Sequence, residues 1–183
     1  MRIISGIHRG RKINPPAKMP YTRPTTDIAK EGLFNIIQNN LDIEDLKVLD
    51  LFGGTGSISY ELASRGAVDI TIVEKDPKMY EFIKKTSGEL DFINFKVVKS
   101  EVFKFIETTT GKFDFIFAGP PYALGTIDDL PRQVFEKKLL NPGGWFVLEH
   151  TPRNDYKKFV GYKTERNYGT TIFSIFIMQP ETK

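Results

Sequence analysis

Cysteine is absent from the 183-residue sequence, and histidine occurs only at His8 and His150. Disulfides and cysteine-based zinc sites are therefore excluded, and we expect no metal. No apolar run reaches the ~20 residues that a membrane-spanning helix needs. The first residues, MRIISGIHRGRK, also lack the apolar core of a signal peptide. We expect a cytoplasmic protein with no membrane partner.

The overall composition is typical of a globular protein. Hydrophobic residues make up 40% and charged residues 27% of a length that suits one domain with a buried core. Nothing in the sequence requires a second chain. We expect a single domain over residues 1–183 and a monomer.

The positive charge is concentrated at the N-terminus. The net charge is +3, but residues 1–31 alone carry +5, from seven basic side chains against Asp27 and Glu31. The basic side chains are Arg2, Arg9, Arg11, Lys12, Lys18, Arg23 and Lys30. Such a patch favours nucleic-acid phosphates, because binding releases condensed counterions. A solvated basic arm without a partner is the alternative.

Hydrophobic periodicity predicts an N-terminal extension followed by one helix. Residues 1–24 are rich in Gly, Pro and Arg, with a short apolar piece at Ile3 and Ile4 that predicts a small strand. The stretch DIAKEGLFNIIQNNL then places apolar residues at helical spacing, and Thr25 or Thr26 is a suitable N-cap. The apolar positions are Ile28, Leu33, Ile36 and Ile37.

From Lys47 onward, short apolar strands alternate with helical patterns. The predicted strands are 47–51, 70–74, 94–98, 113–118 and 144–149, and the predicted helices are 57–65, 77–87, 102–108 and about 129–138. This alternation indicates right-handed crossovers and a parallel sheet. The end differs, because Asn167-Tyr168-Gly169 is a turn between two strand-like runs. We predict an α/β fold with a Rossmann-like, mostly parallel sheet and a C-terminal antiparallel hairpin.

A glycine-rich loop follows the first predicted strand, in VLDLFGGTGSIS. Gly53, Gly54 and Gly56 allow a sharp turn and close approach of a ligand before a helix N-terminus, at the strand ends where such sheets bind ligands. A tight turn without a ligand is the alternative. The motif also resembles a dinucleotide-binding loop, although Ser59 stands where its third glycine would fall.

Two acidic residues follow the next strands. Glu74 ends the second strand about 20 residues beyond the glycines, where a carboxylate can accept hydrogen bonds from a ribose. Glu101 follows the third strand and could accept from an adenine amino group while the Val102 N–H donates to the ring. The alternatives are a solvent-exposed Glu74 beside Lys75 and an exposed Glu101 at a helix start.

The fourth strand leads into Gly119-Pro120-Pro121-Tyr122. The prolines fix the backbone, so its carbonyls cannot turn away from a substrate, and Tyr122 can stack on a planar base. A rigid turn with an aromatic plug is the alternative.

These motifs resemble those of the bacterial, RsmD-like enzymes that methylate the exocyclic N2 of a guanine in 16S rRNA with S-adenosylmethionine. The resemblance covers nearly the whole chain, from RIISGIHRGRK and TRPTTDIAKEGLFNII through VLDLFGGTGSISYELASRG and VEKD to FDFIFAGPPYALG and FVLEH. It implies S-adenosylmethionine as cofactor, S-adenosylhomocysteine as product, and the small ribosomal subunit or its assembly intermediate as partner.

The resemblance also implies site residues. The cofactor would contact Asp50, Phe52, Gly53, Gly54, Gly56, Glu74, Lys75, Glu101 and Val102. The RNA would be positioned by Arg2, Arg9, Arg11, Lys12, Arg23, Thr25, Thr26 and Asp27. The Gly119–Tyr122 tetrapeptide would be catalytic, with the Pro120 carbonyl holding the target amine.

The tetrapeptide departs from the family pattern at its first residue, which is normally Asp or Asn. Gly119 removes one side-chain acceptor, and losing such a contact typically costs ~3–4 kcal/mol in the transition state. Glu149 or Asp114 could substitute, although Asp114 begins its strand. Otherwise the protein is a cofactor- and rRNA-binding assembly factor without turnover, or the glycine is an isolated change in an intact enzyme. A DNA adenine N6-methyltransferase is the enzymatic alternative.

Overall fold

A computed structural model describes residues 1–17, 19 and 25–180. The elements in chain order are α1 (Asp27–Asn40), a short 3-10 helix (Ile43–Asp45), β1 (Lys47–Asp50), α2 (Ser57–Ser64), β2 (Asp69–Glu74), α3 (Pro77–Glu89), β3 (Phe95–Lys99), α4 (Val102–Thr108), β4 (Phe113–Ala118), α5 (Asp129–Glu136), β5 (Leu140–His150), β6 (Tyr162–Tyr168) and β7 (Thr171–Ile177). None of the helices in these ranges is long and apolar enough to cross a membrane.

The strands form one seven-stranded sheet in the order β3-β2-β1-β4-β5-β7-β6. The first five strands in this order run parallel, and β7 pairs antiparallel with both β5 and β6. The hairpin turns between Tyr168 and Thr171, where Gly169 adopts φ +70°. The predicted fold class is confirmed. β5 begins at Leu140 instead of residue 144, because Leu140 already pairs with Phe113 before the register shifts.

Alternating strand residues divide the core between the two faces of the sheet. On β4, Phe115 and Phe117 pack in a core that includes residues of α1 and α2. Ile116 and Ala118 pack on the opposite face, in a core that includes residues of α4 and α5. We refer to these as the α1 face and the α5 face. Successive strand residues point to opposite faces, so a position two residues beyond Phe117 returns to the α1 face.

Helix α1 begins as predicted, and most of its predicted apolar face is buried. Leu33 and Ile37 are fully buried, and Ile36 packs against the same core. The Thr26 side chain caps it by accepting the Ala29 N–H at 3.2 Å. Ile28, expected on the apolar face, is 76% exposed. The expectation for Ile28 was wrong, because the helix turns Ala29, Lys30 and Phe34 inward beside the predicted positions.

The N-terminal segment folds back on itself. The expected small strand is reduced to one antiparallel bridge, between Arg2 and Lys12. Main-chain hydrogen bonds of 2.9–3.0 Å from Ile3 to Arg11 and from Gly10 to Ile3 support it. Buried Ile3 and Ile13 share a third, small cluster with Tyr60 and Leu90. We call residues 1–13 the arm.

Candidate active site

Four positions of the α1 face meet at the carboxyl edge of the parallel strands. Each lies two residues beyond a strand residue that packs in the α1-face core. The four positions are Asp50 after β1 residue 48, Glu74 after β2 residue 72, Gly119 after β4 residue 117, and Glu149 after β5 residue 147. Ligands bind at this edge in open parallel sheets. The strand pattern therefore places three carboxylates around one candidate site.

Asp50 is a buried carboxylate with one oxygen unsatisfied. The Ser59 hydroxyl donates to its Oδ2 at 2.7 Å, while Oδ1 has no hydrogen-bond partner in the described ranges. Burial raises the pKa of Asp50 to about 7, opposed by the Ser59 hydroxyl and the nearby Phe52 amide and reinforced by the charge of Glu74. A buried carboxylate oxygen without a hydrogen-bond partner destabilises the folded protein unless a ligand donates a hydrogen bond to it. Ser59, which replaces a dinucleotide-loop glycine, thus has a role of its own.

Glu74 ties the glycine loop to the next helix. Its Oε2 accepts the Gly54 N–H and its Oε1 accepts the Asp76 N–H, both at 2.7 Å. Lys75, beside it, is exposed. The alternative of an unengaged, solvent-exposed Glu74 is therefore wrong. A carboxylate oxygen has two lone pairs, so both oxygens can still accept a ligand hydroxyl.

The glycines of the loop are required by the turn itself. A Cβ on Gly53 would lie 2.6 Å from the Ile72 side chain, and Gly54 and Gly56 adopt φ of +53° and +79°. A larger residue at any of the three would strain the backbone or clash with the core. Phe52 packs against the α5-face core. A tight turn without a ligand would need the same glycines. It is the carboxylates around the loop that indicate a ligand.

Glu101 lies at the edge of the same site but has a local partner. Its carboxylate caps α4 by accepting the Lys104 N–H at 3.0 Å, as the helix-start alternative predicted. Val102, the first residue of α4, is buried. The Ser100 N–H donates to the Glu74 carbonyl at 3.2 Å, which joins the ends of β2 and β3. The adenine-binding role of Glu101 and Val102 stays a prediction.

The Gly119–Tyr122 segment turns directly after β4. The Pro121 carbonyl is occupied within the turn, because it accepts the Leu124 N–H at 2.9 Å. The Tyr122 hydroxyl donates to Glu149 Oε1 at 3.1 Å and lies 3.3 Å from the Thr171 hydroxyl. The ring is thereby held by the ends of β5 and β7. Thr171 gave no signal in the sequence, because its contact depends on the hairpin register.

Glu149 and Asp114, the two candidate substitutes for the missing side chain, lie at opposite ends of the sheet. Glu149 is 4% exposed, and its Oε2 accepts the Thr25 hydroxyl at 2.6 Å. Asp114 accepts the Lys47 N–H at 2.9 Å and the Asn141 amide at 2.7 Å, near the amino ends of the strands. Only Glu149 is at the site.

The basic residues of the arm lie on the surface. Arg2, Arg9, Arg11 and Lys12 are exposed, and Arg2 pairs with Asp27 at 3.1 Å. Lys18 and Arg23 lie outside the described residues. Thr26 and Asp27 thus have structural partners of their own, and the RNA contacts of all these side chains stay predictions.

A buried ion cluster, which the sequence reasoning missed, anchors the arm. Glu61 accepts the N–H groups of Ile4 and Ser5 at 2.8 and 3.0 Å and pairs with Arg65 at 2.8 Å. Lys30 lies 3.6 Å from Glu61 and donates to the Arg2 carbonyl at 2.6 Å. Lys30 and Glu61 are 1% and 0% exposed. The only sequence signal was the i,i+4 spacing of Glu61 and Arg65, which also occurs on exposed helices.

The arrangement can therefore hold a cationic group at Asp50, paired hydroxyls at Glu74, and a planar base beside Tyr122.

A separate apolar groove of about 480 Å³ is lined by residues such as Phe135, Leu140 and Phe159. It lies near the start of β5, away from the strand ends that carry the acidic side chains.

Comparison with known proteins shows the family to which the chain belongs and proteins that share its fold. A family model described as "Conserved hypothetical protein 95" matches residues 1–177. "Ribosomal RNA small subunit methyltransferase D" of Escherichia coli K12 is 33% identical over 149 residues, covering 81% of this chain and 71% of that protein. Its Haemophilus influenzae counterpart is 30% identical over 156 residues, covering 81% and 78%. The solved structure "Putative methyltransferase yhhF" from Escherichia coli is 26% identical and covers 99% of both chains with a TM-score of 0.86.

Proposed function

Because the chain belongs to the conserved hypothetical protein 95 family, we propose that it methylates the exocyclic N2 of a guanine in 16S rRNA. Family membership confirms the resemblance that the motifs indicated. The observation that carries the proposal is the placement of Asp50, Glu74 and Gly119-Pro120-Pro121-Tyr122 at one edge of the sheet. The methyltransferase names of the relatives support the same chemistry.

The cofactor we propose is S-adenosylmethionine, and the residues present fit it. The unpaired Oδ1 of Asp50 suits the cationic amino group of its methionine part. The remaining lone pairs of Glu74 suit its ribose hydroxyls, and Glu101 with Val102 would meet its adenine. The loop of Phe52, Gly53, Gly54 and Gly56, with Lys75 beside it, would complete the contacts. When bound, the cofactor supplies an activated methyl group and leaves as S-adenosylhomocysteine.

The protein's catalytic task is to position the amine. The guanine N2 lone pair is delocalised into the ring, so acceptors must hold its N–H groups and aim the lone pair at the methyl carbon. We assign one acceptor to the Pro120 carbonyl, since the Pro121 carbonyl is taken by Leu124. Tyr122 would stack on the base, with its hydroxyl already held by Glu149.

We propose that the basic N-terminal extension, residues 1–24 of a single domain, binds rRNA in the small ribosomal subunit or its assembly intermediate. Arg2, Arg9, Arg11 and Lys12 supply exposed charge on the arm, which Glu61 fixes to α2. Arg23, Thr25, Thr26 and Asp27 would help to close the site and to position the RNA. The hydrogen bond from Thr25 to Glu149 supports that role.

Cofactor affinity is expected to rise with pH. The pKa of Asp50 is about 7, so roughly a tenth of the carboxyl is ionised at pH 6 and nine-tenths at pH 8. A cationic amino group binds the ionised form, and an α-amino group is still about half protonated at pH 8. S-adenosylmethionine should therefore bind about five-fold more tightly at pH 8 than at pH 6. Calorimetric titration at both pH values measures this. Asp50→Asn should bind weakly at both, and equal affinity of the native protein at the two pH values would contradict the role of Asp50.

The raised pKa of Asp50 also predicts how the stability of the ligand-free protein changes with pH. Asp50 has a higher pKa in the folded protein than its ordinary value of 3.8. Ionisation of Asp50 therefore opposes folding, and its contribution to the free energy of unfolding should fall as pH rises from about 4 to about 7. Asp50→Asn should remove this part of the pH dependence.

Neutralising the arm is expected to weaken RNA binding and reduce its salt dependence. Each lost phosphate contact lowers the slope of log K against log salt by roughly 0.7–0.9. Arg9→Ala with Arg11→Ala should therefore reduce the slope by up to about 2. Fluorescence titration of a 16S rRNA fragment over a salt series measures it. The charge-matched control is Lys112→Ala with Lys137→Ala, two exposed side chains away from the site. An unaltered slope in the arm variant would favour the solvated-arm alternative.

The substrate class is tested by offering three acceptors with labelled S-adenosylmethionine. These are small ribosomal subunits lacking the modification, protein-free 16S rRNA and duplex DNA. Label in rRNA, with or without ribosomal proteins, is the expected result. Label in DNA alone would favour an adenine N6-methyltransferase. Cofactor binding without label in any acceptor would favour an assembly factor.

A further inference from the structure

Gly119 and Glu149 are neighbours across two parallel strands. β4 and β5 pair in register through Phe117 with Val147 and Ala118 with Leu148, so Gly119 and Glu149 are the next pair. Phe117 and Val147 both pack on the α1 face. Because side chains alternate between faces, residues 119 and 149 share that face as well. The Glu149 side chain therefore projects beside the position that a side chain at residue 119 would occupy.

The Glu149 carboxylate lies close enough to residue 119 to take the place of a side chain there. A Cβ built on Gly119 would lie 3.7 Å from Glu149 Oε2. The carboxylate is held in place, since Oε1 accepts from Tyr122 and Oε2 from Thr25. An ionised carboxylate presents about four lone-pair sites and can therefore accept from several donors at once. A fixed acceptor thus stands at the catalytic strand end although residue 119 has no side chain.

We propose that Glu149 is a catalytic residue that supplies the side-chain acceptor missing at Gly119. Its carboxylate accepts one N–H of the target amine while the Pro120 carbonyl accepts the other. The amine lone pair forms the new N–C bond, and the electron pair of the breaking C–S bond stays on sulfur. The nitrogen releases one proton to the Glu149 carboxylate, which passes it to water. This inference rests on the proposed function and assigns its acceptor to a different strand.

The charge of Glu149 has a consequence for residue 119. An aspartate there would bring a second carboxylate against a carboxylate that is 4% exposed, and two like charges resist ionising together. An asparagine would avoid this, because its carbonyl can accept from the amine while its NH₂ donates to Glu149. Any side chain at residue 119 must also move the Phe117 ring, whose Cε1 lies 3.0 Å from the Cβ position. Gly119→Ala measures that shared steric cost.

The test is single-turnover methyl transfer to small ribosomal subunits lacking the modification, at saturating S-adenosylmethionine. In Glu149→Gln the single carbonyl oxygen is left to serve Tyr122, Thr25 and the amine, because the NH₂ group cannot accept. The variant should therefore slow transfer on the order of a hundred- to thousand-fold, with cofactor affinity unchanged. Adding Gly119→Asp to Glu149→Gln should restore most of the rate, and adding Gly119→Ala should restore none. In the native background, Gly119→Asn should be faster than Gly119→Asp.

Two results would overturn the inference alone. An unaffected Glu149→Gln variant would show that the carboxylate is not needed. A slow Glu149→Gln variant that Gly119→Asp does not rescue would make Glu149 a clamp for Thr25 and Tyr122 only. If the native chain and every variant bind the cofactor but transfer no methyl group, the proposed function fails and the inference fails with it.

Discussion

Glu74→Ala is expected to weaken S-adenosylmethionine binding by about a hundred-fold. The carboxylate holds the Gly54 and Asp76 amides at 2.7 Å each, so it fixes the loop as well as offering acceptors to the ribose. Hydrogen bonds to a charged group contribute about 1.5–3 kcal/mol each, and losing even one with the loop geometry gives an effect of this size. Calorimetry on the purified protein measures the affinity without RNA.

The control for this variant is Glu81→Ala. Glu81 is an exposed acid on α3, the helix that follows β2, and no cofactor contact is proposed for it. It removes the same charge and should leave the affinity unchanged. Glu74→Gln should lie between the two, because its amide keeps one acceptor but cannot accept both backbone N–H groups. Unchanged affinity in Glu74→Ala would remove the cofactor assignment at this edge of the sheet.

Glu61→Ala is expected to lower the free energy of unfolding by about 3–5 kcal/mol, the usual cost of breaking a buried ion pair by removing one partner. The substitution leaves Lys30 buried without its counter-charge and two arm amides without their acceptor. Burial already lowers the pKa of Lys30, and Glu61 is the main group that opposes this. Urea unfolding measures the loss, and hydrogen exchange at Ile4 and Ser5 shows whether the arm detaches.

A matched ion pair on the surface provides the control. Lys85 and Glu89 lie 3.8 Å apart on α3, with side chains 77% and 56% exposed. Exposed pairs contribute about 0–1 kcal/mol, so Glu89→Ala should change little. Equal effects of Glu61→Ala and Glu89→Ala would contradict the view that Glu61 anchors the arm. If Glu61→Ala also binds RNA more weakly under conditions in which it remains folded, the buried ion cluster around Glu61 supports the proposed role of the arm.

Most of the fold could be predicted from local sequence patterns. The features that were not predicted depend on contacts between residues far apart in the chain. Short apolar strands between helical segments determine a parallel sheet, and Asn167-Tyr168-Gly169 marks the hairpin. Periodicity identified Leu33 and Ile37 on the buried stripe of α1 but did not identify the whole stripe. It favoured Ile28, whereas the structure buries Lys30, because the partner of Lys30 is Glu61 on α2. A buried lysine is stable only with such a partner, and no local pattern shows it.

The candidate site was predictable where it depends on strand ends. Asp50 and Glu74 follow from the rule that parallel sheets bind ligands at their carboxyl edge. Glu149 could be named from the sequence, and Asp114 was already disfavoured because it begins its strand. The distance from Glu149 to Gly119 could not be predicted, because it depends on the register between β4 and β5. The structure supplies that register and places Glu149 beside Gly119. Arg23 lies outside the described residues, and its role stays a prediction.

The most direct test of the proposed methyl transfer identifies the atom that receives the methyl group. Small ribosomal subunits lacking the modification are incubated with the native chain and labelled S-adenosylmethionine, and the rRNA is then digested to nucleosides. We expect the label to elute with N2-methylguanosine and to come from one position of 16S rRNA. Label in any other nucleoside, or rRNA that stays unlabelled while the protein binds the cofactor, would contradict it.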